Sequence, residues 1–189
     1  MVEYRFDNDG VDVSSFEYHE HLAHAPHLEQ GGPRERILCT SNMIQIVRMS
    51  YRLKSWIDYG CGDGGLLSVT EFDNKKGYDF LPANIEYAKK VGRPVEFKNF
   101  VDAEPEYSDL VTICECLEHL EDPHGFLCRV ECKVIVATVP LGETPEQRCA
   151  EHKWGWAMED FDKMFADAGF NKIANIGIPM AQLYVGVRP

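Results

Sequence analysis

The stretch from Trp56 to Gly65 constrains the fold of this 189-residue chain more than any other. Leu53, Trp56 and Ile57 read as a buried strand, Gly60, Gly62, Gly64 and Gly65 as a glycine-rich turn, and Leu66 as the opening of a helix. Such a turn makes the backbone itself a ligand surface, because glycine has no side chain and tolerates positive φ. Gly60-x-Gly62-x-x-Gly65 also fits the dinucleotide fingerprint, which seats a pyrophosphate on a helix N-terminus. Asp58 and Asp63 oppose that reading, since two carboxylates beside phosphates cost energy in a partly dry site. A ligand that carries positive charge gains from the same pair.

After this turn the chain alternates strands and helices. Strands are predicted near 53–59, 75–79, 94–97, 108–114, 132–139, 171–178 and 182–188, and helices near 64–69, 82–91, 118–129 and 157–168. A longer helix is predicted from about Arg34 to Tyr51, with Ile37, Leu38, Met43, Ile44 and Val47 at mainly helical spacing. Ser14 to Leu28 could form a short helix stopped by Pro26. Alternation of this kind predicts an α/β fold, a doubly wound, Rossmann-like sheet with helices on both faces. The last two strands are joined only by Pro179-Met180, too short for a crossover helix, so they are expected to be antiparallel. That gives a seven-stranded, mostly parallel sheet with one antiparallel strand in a single domain. Residues 1–34 stand apart as an N-terminal lid or extension, and 35–189 form the domain proper.

Composition sets outer limits. No apolar run reaches the roughly 20 residues that a membrane helix needs, and Met1-Val2-Glu3-Tyr4 has neither the basic nor the apolar region of a signal peptide. The cysteines number seven, an odd count, with several in predicted strands or in the glycine turn, which predicts free thiols in a reducing compartment and a cytoplasmic protein. Cys114-x-Cys116 lacks zinc-knuckle spacing and reads as structural. A formal charge of −12 weakens a claim of broad nucleic-acid binding without excluding a local basic groove. His19, His21, His24 and His27 cluster, but no cysteine accompanies them and Pro26 breaks the helix, so they read as solvated residues of the lid. Gly169-Phe170 reads as a helix C-cap with Phe170 packing back.

The pattern Asp58-x-Gly60-x-Gly62-x-Gly64 resembles the first motif of the class I S-adenosylmethionine-dependent methyltransferases, whose cofactor carries an ammonium and a sulfonium. The resemblance covers roughly residues 35 to 189 and implies S-adenosyl-L-methionine as cofactor and S-adenosyl-L-homocysteine as product. Asp58, Gly60, Cys61, Gly62 and Gly64 would then hold the cofactor from the turn. Asp79 follows Gly60 by 19 residues, the place where a nucleotide-binding α/β fold puts an acid for ribose hydroxyls; it also fits a helix N-cap. Phe80 beside it is counted with the cofactor residues. The resemblance assigns Asp102 to the adenine amino group and Ala103 to the ring through its backbone amide, although a loop Asp often makes only a local turn. Cys114 and Glu115, at the end of the fourth predicted strand, complete the cofactor set.

Glu115-x-Leu117-Glu118-His119-x-x-Asp122-Pro123 follows that strand and is expected to face the methyl group. It resembles a segment of the branch that includes the quinone-pathway O-methyltransferases, with Glu118 and His119 at the start of a helix. Arg148, His152, Trp154, Trp156 and Phe161 add a weaker resemblance to the 3′-terminal small-RNA 2′-O-methyltransferases. By that resemblance Glu115, Glu118, His119 and His152 are candidate ligands of a divalent metal such as Mg²⁺ or Mn²⁺, and the same four are the candidate catalytic residues. Without a metal, His119 or His152 would take the acceptor's proton. Tyr18 or His19 of the lid could touch substrate. Three functions stay open: methyl transfer to an oxygen or nitrogen of a small molecule, metal-dependent methyl transfer to an RNA 2′-hydroxyl, and a non-catalytic cofactor-binding subunit. No membrane partner is expected.

Overall fold

The computed structural model describes residues 3–5 and 26–189. In chain order its elements are β1 (Glu3–Arg5), α1 (Gly31–Tyr51), β2 (Ser55–Tyr59), α2 (Gly65–Val69), β3 (Asn74–Asp79), α3 (Pro82–Lys90) and β4 (Val95–Phe97). They continue with β5 (Ser108–Cys114), α4 (Pro123–Arg129), β6 (Cys132–Pro140), β7 (Trp154–Trp156), α5 (Met158–Asp167), β8 (Asn171–Ile178) and β9 (Ala181–Val187). Tyr18, His19, His21 and His24 lie outside the described residues, so the lid readings placed on them have no structural counterpart here.

Seven strands form one sheet in the order β4-β3-β2-β5-β6-β9-β8. β2, β3, β4, β5 and β6 pair in parallel, whereas β9 slots between β6 and β8 and runs antiparallel to both. The expected seven-stranded, mostly parallel sheet with one antiparallel strand is therefore the observed one. The chain winds outward from β2 to β4, then returns to β5 on the other side of β2. A crevice opens at the carboxyl ends where the winding direction switches.

Two apolar clusters, one per face, hold this sheet. Along β6 the side chains alternate between them: Val134 and Val136 pack with Ile44, Val47, Trp56, Leu67 and Leu110, while Ile135 and Ala137 pack with Tyr59, Phe126, Phe161 and Phe165. A strand buried on both faces sends successive residues to opposite sides, so it needs an apolar run, as Val134 to Ala137 supplies ahead of the buried Thr138. Behind α5, Gly169 takes φ +89°, its N–H donates to the Ala166 carbonyl, and the Phe170 N–H donates to that of Phe165. This is the expected C-cap, with Phe170 packed on Phe165.

Three local expectations are corrected. α1 starts at Gly31, not Arg34, because Pro33 falls in the first turn, where its missing N–H is not needed. The single helix expected over 118–129 is divided. A 3₁₀ turn covers Leu117–His119, and α4 restarts at Pro123 behind an Asp122 cap whose Oδ1 accepts the Gly125 N–H at 2.8 Å. Proline has no N–H to continue the first turn and disfavours helical geometry at the residue before it. Glu118 and His119 therefore sit on a 3₁₀ turn and not at a helix start. Finally, Trp154–Trp156 forms a short strand, β7, antiparallel to β1, where sequence reading had placed only a connection.

All seven cysteines are unpaired. Among the described residues no helix is long and apolar enough to cross a membrane.

Candidate active site

A cavity of about 600 Å³ opens at the carboxyl ends of β2, β3 and β5. The glycine turn forms one wall because its backbone must coil tightly: Gly60 and Gly62 take φ of +69° and +55°. Their Cα positions are also crowded. A Cβ on Gly60 would lie 2.6 Å from Cys116 Sγ, and one on Gly62 would lie 2.7 Å from the His27 ring.

Three buried aspartates brace this wall, each with partners. Thr112 Oγ1 donates to Asp58 Oδ1 at 2.5 Å and itself accepts the Trp56 indole N–H at 2.8 Å. Burial pushes the Asp58 carboxyl up to about 7, against the pull of the Thr112 hydrogen bond. Asp79 Oδ2 accepts the Gly62 N–H at 2.8 Å and Oδ1 accepts the Leu81 N–H at 2.9 Å, so this side chain ties the turn to the entry of α3. Burial raises its carboxyl as well. Asp63 behaves differently. Its oxygens accept the Gly65 N–H at 2.9 Å and the His27 N–H at 3.1 Å, and they lie 3.0 Å from His27 Nδ1 and 2.9 Å from Arg93 Nη1. Burial alone would raise it, but these partners outweigh burial and hold it at about 2. Asp63 does not line the cavity; it fastens His27 over the turn.

The opposite wall follows β5. Glu115 stands at φ +50°, a left-handed conformation rare for a residue with a Cβ. Its N–H donates to the Thr138 carbonyl at 2.8 Å and its Oε2 lies 3.2 Å from the guanidinium of Arg36 on α1. Glu118 is fully buried, with no hydrogen-bond partner on either carboxylate oxygen, and Glu115 Oε1 has none either. Burial first, and the charge of Glu115 second, push the Glu118 carboxyl well above the usual carboxylate range.

Two imidazoles face it, with ring centroids 4.9 Å apart at 79°. His119 Nδ1 lies 3.1 Å from the Glu151 carbonyl, and His152 Nδ1 lies 2.6 Å from Glu143 Oε2. Both neighbours are acceptors, so each Nδ1 carries a proton. One ligand atom from each of Glu118, His119 and His152 lies within 4.8 Å of the others. A backbone hydrogen bond of 2.7 Å from Lys153 N–H to the Glu118 carbonyl clips the two segments together.

A nucleotide-sized cavity beneath a glycine turn, with acids at its wall, suits several cofactors; the sequence profile decides among them. The family described as "Methyltransferase domain" matches residues 40–175. The chain belongs to that family. It is a class I S-adenosylmethionine-dependent methyltransferase.

None of the curated proteins matches this methyltransferase in sequence. Solved structures resemble it in fold. Magnesium protoporphyrin IX methyltransferase (ChlM) from Synechocystis PCC 6803, solved with bound SAM, superposes with a TM-score of 0.68 at 11% identity, over 97% of this chain and 98% of that one. The methyltransferase domain of a bacterial Hen1 (CtHen1-CN) gives 0.62 at 20% identity, over 83% and 100%. A Haloferax volcanii methyltransferase solved with its Trm112 activator gives 0.62 at 16%, over 86% and 96%.

Of the residues singled out from the sequence of this methyltransferase, Asp58, Gly60, Cys61, Gly62, Asp79, Phe80, Asp102, Cys114, Glu115 and His119 line the cavity. Gly64 and Ala103 do not. Gly64 is the N-cap of α2, turned under Val95, and Ala103 offers its carbonyl to Arg129 at 3.4 Å. Glu118 and His152 do not line the cavity; they are buried beside His119, which does. The four candidate metal ligands divide: Glu118, His119 and His152 converge, whereas Glu115 is paired with Arg36.

Sequence reading missed Arg36, Thr40 and Glu143, and it took His27 for a solvated lid residue, whereas His27 is held by buried Asp63 and lines the cavity. Pro33, Arg36, Ile37 and Thr40 all line the cavity and fall at i, i+3, i+4 and i+7 of one helix, a spacing that marks a common face. No sequence signal singles out Glu143.

Proposed function

We propose that this enzyme is a divalent-metal-dependent O-methyltransferase, with residues 35–189 as its catalytic domain and 1–34 as a lid. One observation carries the metal: the Glu118 carboxylate, buried with neither oxygen hydrogen-bonded, beside two imidazoles whose Nδ1 atoms are already committed. A buried charge without partners is costly, and a cation is the partner that carboxylate oxygens and imidazole lone pairs share. Glu118, His119 and His152 would hold it, with Glu115 as a fourth ligand. Glu143 would orient His152 from behind, as outer carboxylates do at metal-bound imidazoles. A divalent cation held there lowers the pKa of a hydroxyl bound to it.

The cofactor fits the other half of the cavity. The turn from Gly60 to Gly62 would take its methionine part, with Asp58 toward the ammonium. Asp79 would take the ribose hydroxyls, and Phe80 and Asp102 the adenine. Bound there, the cofactor supplies an electrophilic methyl on its sulfonium. The chain's own contribution is then positional: it holds an acceptor oxygen in line with that methyl and excludes water.

The acceptor that this site supports best is a small molecule with adjacent hydroxyls, since the net charge of −12 and the acids along the cavity do not favour a polyanion. A second reading, the terminal ribose of an RNA, is supported by the Glu-x-x-Glu-His set joined to His152 and by the full-length match to the bacterial Hen1 domain. Methyl transfer from labelled cofactor to a catechol panel and to RNA oligonucleotides, each with excess chelator and then added Mn²⁺, tests both. Activity lost in chelator and restored by Mn²⁺ is expected. Full activity in chelator overturns the metal and leaves the imidazoles as proton acceptors.

A further inference from the structure

Arg36 is the one lysine or arginine among the described residues that line the cavity. It reaches in from α1, and its guanidinium is 3.2 Å from Glu115 Oε2, with both side chains mostly buried. Besides Glu115, the other carboxylates of the lining are Asp58, Asp79, Asp102, Glu121 and Glu151. His27 is already committed to Asp63 and His119 to the Glu151 carbonyl. The methionine part of the cofactor brings both an ammonium and a carboxylate into this space. The acids serve the ammonium. A carboxylate there needs a cation, since leaving it unpaired in a dry acidic cavity is costly, and a planar guanidinium is the donor shaped to receive it.

We infer that Arg36 anchors the cofactor's carboxylate and does so by exchanging its ion pair with Glu115, so that cofactor binding frees Glu115 to join Glu118, His119 and His152. Two features of Glu115 make it the mobile partner. It stands at φ +50°, and its second carboxylate oxygen has no hydrogen-bond partner, so Arg36 is the one cation paired with this side chain, with the Thr138 hydroxyl as a further neighbour. The consequence is a linkage: cofactor and divalent cation bind cooperatively, each tightening the other by the same factor. This coupling rests on the metal reading above; the carboxylate anchor does not.

Calorimetry with two nucleoside probes and Mn²⁺ separates the parts. S-adenosylhomocysteine carries the carboxylate, whereas 5′-methylthioadenosine keeps the nucleoside and lacks the amino-acid part. Arg36→Gln should weaken S-adenosylhomocysteine binding by about 10- to 100-fold, the effect of losing a charged hydrogen-bond pair. It should leave 5′-methylthioadenosine affinity unchanged, which also shows that the cavity is still folded. Arg36→Lys should recover part of the loss. In the unaltered chain, saturating S-adenosylhomocysteine should tighten Mn²⁺ at least about 5-fold, 5′-methylthioadenosine should not, and Arg36→Gln should abolish the difference. Equal weakening of both nucleoside probes, or of neither, overturns the anchor. Mn²⁺ that binds equally with and without S-adenosylhomocysteine overturns the exchange. Failure of Mn²⁺ to bind the unaltered chain at all overturns the metal reading and the coupling together, with the anchor still decided by the two nucleosides.

Discussion

The two walls of the cavity treat buried carboxylates in opposite ways. On the glycine-turn side Asp58, Asp63 and Asp79 are each hydrogen-bonded by at least one group of the chain. On the β5 side Glu118 has no partner on either oxygen, and Glu115 has one on only one oxygen and a left-handed backbone. A satisfied network fixes a shape in advance; an unsatisfied one stores a cost that a ligand can relieve. The first wall is therefore set in advance by the chain, whereas the second keeps carboxylate oxygens that the chain itself leaves unsatisfied.

The sharpest test of that contrast is stability. Asp63→Ala should cost about 3–5 kcal/mol, because it strands Arg93 and leaves the His27 and Gly65 amides without their acceptor; denaturant unfolding measures it. Glu118→Gln, although fully buried, should change unfolding by less than about 1 kcal/mol, since the carboxylate it replaces had no bond to lose. The same substitution should weaken Mn²⁺ at least about 100-fold by removing a charged ligand. A Glu118→Gln chain that unfolds as readily as Asp63→Ala would erase the distinction between the walls.

Next in size is Asp79→Ala, expected to weaken S-adenosylhomocysteine by about 1–3 kcal/mol, the cost of unpaired ribose hydroxyls. Calorimetry that returns an unchanged affinity would remove Asp79 from the ribose.

A third test concerns pH. Asp63 is held at about 2, below its ordinary 3.8, so it stabilises the fold above pH 4 and that contribution, about 2 kcal/mol, is lost as pH falls toward 2. Asp58, raised to about 7, has the opposite sign: the folded chain favours its protonated form, so its share of stability declines as pH rises from about 4 through 7. Unfolding titrations of Asp58→Asn should show a shallower decline toward neutral pH, the remainder coming from the raised Asp79 and Glu118 carboxyls, and should keep the acid limb. A variant profile identical to that of the unaltered chain would count against the raised Asp58.

What the sequence disclosed tracks the distance over which each constraint acts. The glycine turn, Asp58 and Asp79 were legible because strand, turn and helix follow one another and fix the φ angles and the next strand's end within about twenty residues. Pro123 was visible too, yet its power to restart the helix, and so to leave Glu118 and His119 on a 3₁₀ turn, was underweighted against the apolar periodicity around it. Arg36 and Thr40 were missed because α1 meets the cavity only through tertiary packing, although their helical spacing was in plain view. Glu143 and His152 pair across a loop with no periodicity, and nothing local foretells that bond. The ligand set was legible in part for the same reason: the resemblance implied four ligands, of which three converge, but only the fold could pair the fourth with Arg36.

The pairing of β1 with β7 has a kinetic consequence. Glu3 meets Trp156 across almost the whole length of the chain, so its closure carries the largest loop entropy of any strand pair and brings only three residues into register. The parallel core around β2 and β5 can form before it. His152 precedes β7 by a single residue, Lys153, so the wall that bears it should be the last part of the molecule to set and the first to loosen. Native-state hydrogen exchange should find the β7 amides opening at a lower free energy than those of β2 and β5, with the wall next to His152 breathing while the glycine-turn wall stays shut.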